Sequence, residues 1–180
     1  DVERSRGLGD VYKRQGKGFA TVSDPNEYMI EEGKKNHKFK NKIEWVVAPA
    51  ENLPFADDTF DAYLVSFGVR NFSDIKRSLS EAYRVLKPGG KFFCLEFSKV
   101  ENKTVSSIYN MYSSIIPVIG KVIVGDEEPY KYLTKTIDEF PSQKEFKEII
   151  ESTEFTDVNY KNIFNGIVAI HFATKAVNAE

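Results

Sequence analysis

The chain has 180 residues, of which 41% are hydrophobic and 13% aromatic, and this composition is sufficient for one globular domain with a substantial core. The 25 Lys and Arg residues nearly balance the 27 Asp and Glu residues without long charged blocks, so a nucleic-acid partner is not expected. A single cysteine, Cys94, cannot form a disulfide framework and is typical of a reducing, cytoplasmic compartment. With only two histidines besides it, a metal cluster is not expected either. No apolar run approaches the roughly 20 residues of a membrane-spanning helix.

The first residues differ in character from those that follow. Residues 1–15 show neither a helical nor a strand period, and they resemble translated adapter sequence rather than part of a folded domain. We therefore expect residues 1–15 to be a non-native leader and residues 16–180 to hold the folded part.

From Gly16 onward, β-rich runs alternate with helical stretches, which predicts an α/β domain built on a mostly parallel sheet. A helix that begins after Ser73 or Asp74 should run to Leu86 and stop at a turn formed by residues 87–90. The other predicted elements, in chain order, are a strand at 17–23, a helix at 26–37, and strands at 43–48, 61–67 and 91–97.

The pattern changes beyond Ser98, where helical stretches at 104–116 and 128–140 flank a segment broken by proline and glycine. We interpret residues from about 100 to 141 as an inserted substrate lid. Most aromatic residues of this region are expected to belong to the core, because aromatic stripes at helical spacing usually pack inside. They are Tyr109, Tyr112, Tyr130, Tyr132 and Phe140.

The C-terminal part begins with Ser142-Gln-Lys-Glu145, which has the form of a capping box and predicts a helix to about Glu151. Two β-rich runs follow at 156–164 and 167–174, separated by Asn165-Gly166. Because this dipeptide is a strong hairpin signal, we expect the last two strands to be antiparallel. By analogy, such a hairpin at the end of a parallel sheet favours a methyltransferase over a nicotinamide dehydrogenase.

An acid, Asp24, ends the first predicted strand and is followed by a helix. In nucleotide-binding α/β folds, an acid at the tip of the second strand accepts hydrogen bonds from ribose hydroxyls. Asp24 is therefore a candidate ribose ligand, although position alone favours a helix cap with Pro25 at the first helical position.

Several segments carry a resemblance to a known family. Ala50-Glu-Asn-Leu-Pro-Phe55 with Asp57-Asp-Thr-Phe-Asp61 resembles the stretch of class I methyltransferases that passes over the adenine of the cofactor. Ser66-Phe-Gly-Val-Arg-Asn71, Tyr83-Arg-Val-Leu-Lys-Pro-Gly-Gly90 and Leu95-Glu-Phe-Ser98 match, in this order, the UbiE-type ubiquinone/menaquinone C-methyltransferases. The resemblance covers residues 16–175.

The resemblance implies a Rossmann-like class I methyltransferase fold and S-adenosylmethionine as the cofactor. Asp24 matches the ribose-binding acid of the family, and Ser66 matches a position beside the bound cofactor. Pro49 and Ala50 correspond to an Asn-Ala pair over the adenine. Because proline has neither an N–H nor an amide side chain, Pro49 is only a positional match.

Arg70 and Asn71 follow a predicted strand, at the edge where ligands of open α/β sheets bind. The resemblance implies a polyprenylated quinol acceptor, namely demethylmenaquinol, 2-polyprenyl-6-methoxy-1,4-benzoquinol or both, methylated at a ring carbon beside a hydroxyl. Because arginine stays charged, we expect Arg70 to stabilise the phenolate or orient a water, with Asn71 hydrogen-bonding beside it. A surface salt bridge of Arg70 with Asp74 or Glu81 is the alternative.

The resemblance also predicts that a first strand and its glycine-rich loop are missing. Only residues 11–15 separate Gly7-Leu-Gly-Asp10 from Gly16, whereas a crossover with its helix needs at least about 10 to 12 residues. On this interpretation the chain alone would expose apolar sheet edges, aggregate and bind the cofactor weakly, and activity would belong to the full-length protein.

Other functions stay open at this point. A class I methyltransferase of another small phenol or sterol shares the cofactor half, and a nicotinamide dehydrogenase also uses an acid after the second strand. A non-catalytic fragment within a quinone-biosynthesis assembly is a further alternative. The polyprenylated acceptor implies peripheral contact with the inner membrane, and both a homodimer and a quinone-biosynthesis complex are compatible with the sequence.

Overall fold

The computed structural model describes residues 18–36, 43–100 and 128–177. The strands within these ranges are β1 (Ala20–Asp24), β2 (Ile43–Val47), β3 (Phe60–Ser66), β4 (Leu86–Phe97), β5 (Phe155–Ile163) and β6 (Val168–Lys175). The helices are α1 (Glu27–Asn36), α2 (Ile75–Val85), α3 (Glu128–Glu139) and α4 (Gln143–Glu151), with short 3₁₀ turns at Val69–Asn71 and Phe164–Gly166. The leader at 1–15 and the helix predicted at 104–116 lie outside the described residues.

β1, α1 and β2 form a first unit around two parallel strands. α1 packs on these strands through Ile30, which is buried, and through Gly33, where an added Cβ would lie 2.5 Å from Cζ3 of Trp45. Glycine at position 33 therefore lets the helix approach the strand closely, and a larger residue would have to displace the indole ring.

The other four strands form a second sheet in the order β3-β4-β6-β5. β3 and β4 are parallel and are joined by α2, whereas β6 is antiparallel to both β4 and β5. The predicted α/β class and the antiparallel C-terminal hairpin are thus confirmed. Among the described strands, no ladder hydrogen bonds join β1 or β2 to this second sheet.

The turn predicted at residues 87–90 is present, but it lies inside β4. Leu86 pairs with Phe60 and Lys91 pairs with Ala62, so residues 87–90 bulge out opposite a single residue of β3. Gly89 within this bulge has a φ of 78°, which glycine adopts at little cost. The Pro-Gly-Gly sequence therefore forms a bulge just after α2 without ending the strand.

The hairpin connection between β5 and β6 is longer than the dipeptide alone suggests. Ile163 pairs with Val168, so residues 164–167 form the connection. Asn165 and Gly166 have φ values of 57° and 92°, in the left-handed region that these two residue types tolerate best. The Asn-Gly signal thus correctly marks the turn.

Both predicted helix caps are present. Asp74, rather than Ser73, caps α2, because its side chain accepts a hydrogen bond of 3.0 Å from the N–H of Arg77. Ser142 and Glu145 form the capping box of α4, in which the Glu145 carboxylate accepts a hydrogen bond of 2.8 Å from the Ser142 N–H. None of the described helices is long and apolar enough to cross a membrane.

The core lies between the second sheet and the helices α2 and α4. The largest buried side chains are those of Phe92 and Phe146, and Cys94 is fully buried in β4. The buried cluster comprises Val69, Leu79, Ala82, Leu86, Phe92, Cys94, Phe140, Phe146, Ile150, Phe155, Val158 and Ala173. The opposite face of the sheet carries the paired residues Phe93 and Phe172, which are 38% and 37% exposed.

His171 of β6 is buried within this core, beneath α4. Its Nε2 lies 2.9 Å from the carbonyl oxygen of Gln143, and its ring packs against Phe146 and Tyr160. Burial lowers the pKa of His171 because the imidazolium form would lose its hydration, and the hydrogen bond to the Gln143 carbonyl offsets only part of this effect. The core is therefore built around a neutral histidine.

This burial predicts that the folded protein loses stability on mild acidification. The folded-state pKa of His171 lies below the unfolded value, so the unfolded chain takes up the proton first as the pH falls below about 6.5. The contribution to the free energy of unfolding should reach about 1.4 kcal/mol per pH unit within that window. We expect His171→Gln to be less stable at pH 7.5 but to lose less stability than the parent between pH 7.5 and 5.5, measured by urea unfolding. Lys144→Gln, an exposed change on α4, is the control, and equal losses in all three proteins would contradict the assignment.

Candidate functional site

The carboxyl ends of β1 and β2 bring two of the predicted cofactor segments together. The carbonyl oxygen of Asp24 accepts a hydrogen bond of 3.2 Å from the N–H of Ala48, and the Ser23 hydroxyl donates to the Ala48 carbonyl at 2.9 Å. Asp24 therefore lies beside the point where Pro49 and Ala50 leave the sheet. This proximity follows from the parallel register and could be anticipated once the two strands were placed side by side.

Asp24 is not the helix cap that its position suggests. Its Oδ1 accepts a hydrogen bond of 2.7 Å from the N–H of Asn26, and Asn26 in turn caps α1 by accepting from the N–H of Tyr28 at 2.9 Å. Pro25 thus precedes the helix instead of occupying its first position. Within the described residues Oδ2 of Asp24 makes no hydrogen bond, so the carboxylate retains an acceptor at the strand end that suits the hydroxyls of a ribose.

The loop after β2 is tied to the start of α2 by Glu51. The Glu51 carboxylate accepts hydrogen bonds from the N–H and the hydroxyl of Ser73, at 2.8 and 2.9 Å, and from the N–H of Asp74 at 3.3 Å. Arg77 returns a hydrogen bond of 2.9 Å to the carbonyl oxygen of Glu51. Because Glu51 follows Ala50 and Ser73 closely follows Asn71, these bonds bring the segment of Pro49 and Ala50 next to the segment of Arg70 and Asn71.

A second set of contacts fixes the rest of this loop. The Glu81 carboxylate accepts a hydrogen bond of 2.8 Å from the N–H of Leu53. Arg84 donates to the carbonyl oxygens of Leu53 and Phe55, at 3.0 and 2.7 Å, and pairs with Glu81 and Asp57. Side chains of α2 therefore satisfy backbone groups that an irregular loop would otherwise leave to water.

The ionisation of these acids follows their surroundings. Hydrogen bonding to Arg84 is the main reason that the pKa of Glu81 lies below its usual value. For Glu51, partial burial favours the neutral form, but the hydrogen bonds from backbone N–H groups and the Ser73 hydroxyl together outweigh it and lower the pKa. Both carboxylates are thus ionised at neutral pH and hold the loop as acceptors.

Arg84→Ala should release the loop without unfolding the domain. The carbonyl oxygens of Leu53 and Phe55 would lose their donor, and Glu81 would lose its partner, which should lower the free energy of unfolding by about 2 kcal/mol. Amide hydrogen exchange, measured by mass spectrometry, should become faster in residues 49–57 and stay unchanged in β6. Lys87→Ala is the control, since Lys87 pairs with the exposed Asp61 and with no other acid among the described residues. Equal exchange in both variants would show that Arg84 does not hold the loop.

Arg70 lies just beyond β3 and is mostly buried, with a side chain 11% exposed. Its Nη1 donates to Oε1 of Glu96 at 2.7 Å and to the carbonyl oxygen of Phe67 at 2.6 Å. The guanidinium also lies over the ring of Phe97, with Cζ 5.4 Å from the ring centroid. Arg70 is therefore held firmly at the carboxyl edge of the second sheet.

The alternative of a surface salt bridge for Arg70 is wrong. Neither Asp74 nor Glu81 reaches it, because Asp74 caps α2 and Glu81 binds Leu53 and Arg84. The partner is instead Glu96, whose side chain is 1% exposed. Sequence distance favoured the nearby acids, but the parallel pairing of β3 with β4 places Glu96 closer.

Glu96 is the residue of this site that sequence reasoning missed. It stands in the otherwise apolar run Phe92-Phe-Cys-Leu-Glu-Phe97, and a single acid in such a run signals a buried charge with a partner. Burial raises the pKa of Glu96, and the attraction of Arg70 and the hydrogen bonds from Arg70 and the Phe97 N–H only partly oppose that rise.

Asn71 and Ser66 complete the predicted set at this edge. Ser66 ends β3 with an exposed side chain. Asn71 Oδ1 accepts a hydrogen bond of 3.0 Å from the hydroxyl of Tyr132 on α3. Tyr132 is 58% exposed, so the expectation that the lid tyrosines pack in the core fails for it, whereas Phe140 is buried as expected. Tyr109 and Tyr112 lie outside the described residues, and so does the side chain of Tyr130.

Solved structures of S-adenosylmethionine-dependent methyltransferases share this fold. One from Aquifex aeolicus has a TM-score of 0.65 at 18% identity and covers 94% of this chain and 76% of its own. Another, from Thermotoga maritima, has a TM-score of 0.61 at 19% identity, covering 87% of this chain and 72% of its own. The fold is therefore the Rossmann-like fold of class I methyltransferases.

The chain belongs to the ubiE/COQ5 methyltransferase family, whose model matches residues 7–175. It is 51% identical over 160 residues to the ubiquinone/menaquinone biosynthesis C-methyltransferase UbiE of Rickettsia bellii. That match covers 86% of this chain and 64% of the relative. It is 48% identical over 164 residues to the mitochondrial 2-methoxy-6-polyprenyl-1,4-benzoquinol methylase of Bos taurus, covering 89% and 50%. The chain thus spans between half and two thirds of the length of these curated relatives. The family match begins inside the segment 1–15, and the origin of that segment stays a prediction.

Proposed function

We propose that the full-length protein transfers a methyl group from S-adenosylmethionine to a ring carbon of a polyprenylated quinol, in the biosynthesis of ubiquinone or menaquinone. The relatives named above carry such activities in their names, and the family match extends through all segments of the site. The observation that carries the proposal is a link between two segments. The hydrogen bonds of Ser73 to Glu51 tie the segment of Asp24 and Ala50, at the strand ends of the first sheet, to the segment of Arg70 and Asn71, at the carboxyl edge of the second sheet.

The residues at these strand ends fit the cofactor. Asp24 offers a carboxylate oxygen that is free within the described residues, as a ribose requires, and Ser66 offers an exposed hydroxyl at the end of the neighbouring sheet. Ala50 gives a small side chain where an adenine would lie, while Pro49 supplies no donor there. We assign Asp24, Ala50 and Ser66 to the cofactor, with Pro49 beside it only by position.

The acceptor half of the site rests on Arg70 and Asn71. When bound, S-adenosylmethionine supplies an electrophilic methyl group, and the quinol carbon becomes nucleophilic once the neighbouring hydroxyl loses its proton to water. A charged guanidinium stabilises the resulting phenolate, and the amide of Asn71 hydrogen-bonds beside it. Alignment of the two reactants then supplies much of the rate acceleration.

We further propose that residues from about 100 to 141 form the substrate lid. The hydrogen bond of Tyr132 on α3 to Asn71 supports this role, because it links the lid directly to the acceptor segment. A polyprenyl tail is apolar, so we propose that the protein makes peripheral contact with the inner membrane from the cytoplasm. We also propose that it acts as a homodimer or within a quinone-biosynthesis assembly.

The full-length protein should methylate a short-chain quinol analogue when given S-adenosylmethionine carrying a labelled methyl group. Asp24→Ala should raise the Kd of the cofactor about tenfold, since one charge-assisted hydrogen bond is lost, whereas Glu148→Ala on the exposed face of α4 should not. Product formation is followed by mass spectrometry and Kd by calorimetry. Methylation of a sterol or simple phenol but of no quinol would support the alternative acceptor class, and binding of a nicotinamide cofactor instead would refute the proposal.

A further inference from the structure

The guanidinium of Arg70 is fixed from three directions, and Glu96 supplies the only charge among them in the described part of the chain. Glu96 Oε1 accepts from Nη1 of Arg70 at 2.7 Å, and Oε2 lies 3.4 Å from the Arg70 backbone nitrogen. The carbonyl oxygen of Phe67 accepts from the same Nη1, and the ring of Phe97 lies beneath the guanidinium plane. A long and otherwise flexible side chain is therefore restricted to one orientation.

The backbone at Phe67, whose carbonyl accepts the second hydrogen bond of Arg70, has an unusual conformation. Phe67 has a φ of 54°, a left-handed conformation that bulky residues rarely adopt. In this conformation its N–H still donates to the Leu95 carbonyl at 2.8 Å while its own carbonyl accepts from Arg70. Such conformations persist where the surroundings enforce them, and they cluster at ligand sites.

These contacts use one end of the guanidinium and leave the other free. Nη1 carries both hydrogen bonds, and Nε is buried without a partner. Nη2 makes no hydrogen bond within the described residues and, unlike Nε, is not buried, so it is the donor that remains available at the sheet edge. Nη2, with its two N–H bonds, is therefore the part of the Arg70 guanidinium that can still donate to a ligand.

We propose that Glu96 is a positioning residue for the methyl transfer: it holds Nη1 of Arg70 so that Nη2 points to the phenolate oxygen of the acceptor. The proposal rests on the proposed quinol methylation. Glu96 itself does not contact the acceptor, because its side chain is 1% exposed and lies behind Arg70.

Two substitutions in the full-length protein test this role. Glu96→Gln keeps the shape and one acceptor oxygen but removes the charge, and Glu96→Asp keeps the charge but withdraws it by one methylene. Both should lower kcat for quinol methylation by about 100-fold while leaving the Kd of S-adenosylmethionine unchanged, because misplacement of one aligned group has effects of that size. The pH at which kcat is half-maximal should rise in both variants, since a displaced guanidinium no longer favours the phenolate.

A double-mutant cycle separates positioning from a structural effect. If Glu96 acts through Arg70, Glu96→Gln combined with Arg70→Ala should be no slower than Arg70→Ala alone. Multiplied losses, or a Glu96→Gln variant with parental kcat and pH profile, would overturn the proposal. Ile150→Val, in the core away from this edge, is the control for stability and should keep the parental kcat and pH profile despite a lower melting temperature.

Failure of the proposal and failure of the proposed function give different results. If the parent protein methylates no quinol, the function is wrong and Glu96 has no such step to serve. If the parent is active and the Glu96→Gln variant does not fold, the Glu96→Asp variant provides the test. A parental pH profile of kcat in Glu96→Asp would overturn the positioning role. A reduced kcat that becomes half-maximal at a higher pH would support it.

Discussion

The hydrogen bonds between α2 and the backbone of residues 51–57 connect the two sheets in the described part of the chain, and the candidate site depends on that connection. Within the described residues β1 and β2 share no ladder with β3 and β4, and the hydrogen bonds of this loop link the strand end that carries Asp24 to the segment that follows Arg70. Charged side chains of the helix satisfy loop carbonyl and N–H groups at 2.7 to 3.0 Å, a strong form of the contact. The A-E-x-L-P-F and Y-R-V-L segments are therefore two halves of one physical interaction.

Much of the fold could be predicted from the sequence because its signals are local. A capping box needs only the spacing of Ser142 and Glu145, and a hairpin needs residues that tolerate positive φ between two β-rich runs. Each signal involves atoms a few residues apart, so no knowledge of the tertiary structure is required. Some strand boundaries shifted by one residue, as between the predicted 61–67 and the observed Phe60–Ser66, where pairing with the neighbour decides the end. The strand predicted at 91–97 starts five residues earlier, at Leu86, because the predicted turn forms a bulge inside it.

The site was less predictable because its decisive contacts join distant residues. The pairing of Arg70 with Glu96 depends on the parallel register that sets Ser66 opposite Leu95, and sequence alone does not give that register. Asp74 and Glu81 were the expected partners of Arg70 because they lie near it in the sequence. The sequence does not show that Asp74 caps α2 or that Glu81 binds Leu53 and Arg84 instead. The exposed Tyr132 likewise follows helical spacing, but it binds Asn71 because α3 packs against the 3₁₀ turn after β3.

The buried pair of Arg70 and Glu96 is difficult to explain as a source of stability. Removing two charges from water costs several kcal/mol for each ion, and well-packed apolar residues in their place are often equally stable or more so. The raised pKa of Glu96 shows that its burial outweighs the stabilisation from Arg70. A positively charged group at a sheet edge, however, stabilises an anionic acceptor effectively only if it cannot move into solvent. The cost of burying Glu96 is therefore best understood as the cost of keeping Arg70 in one orientation.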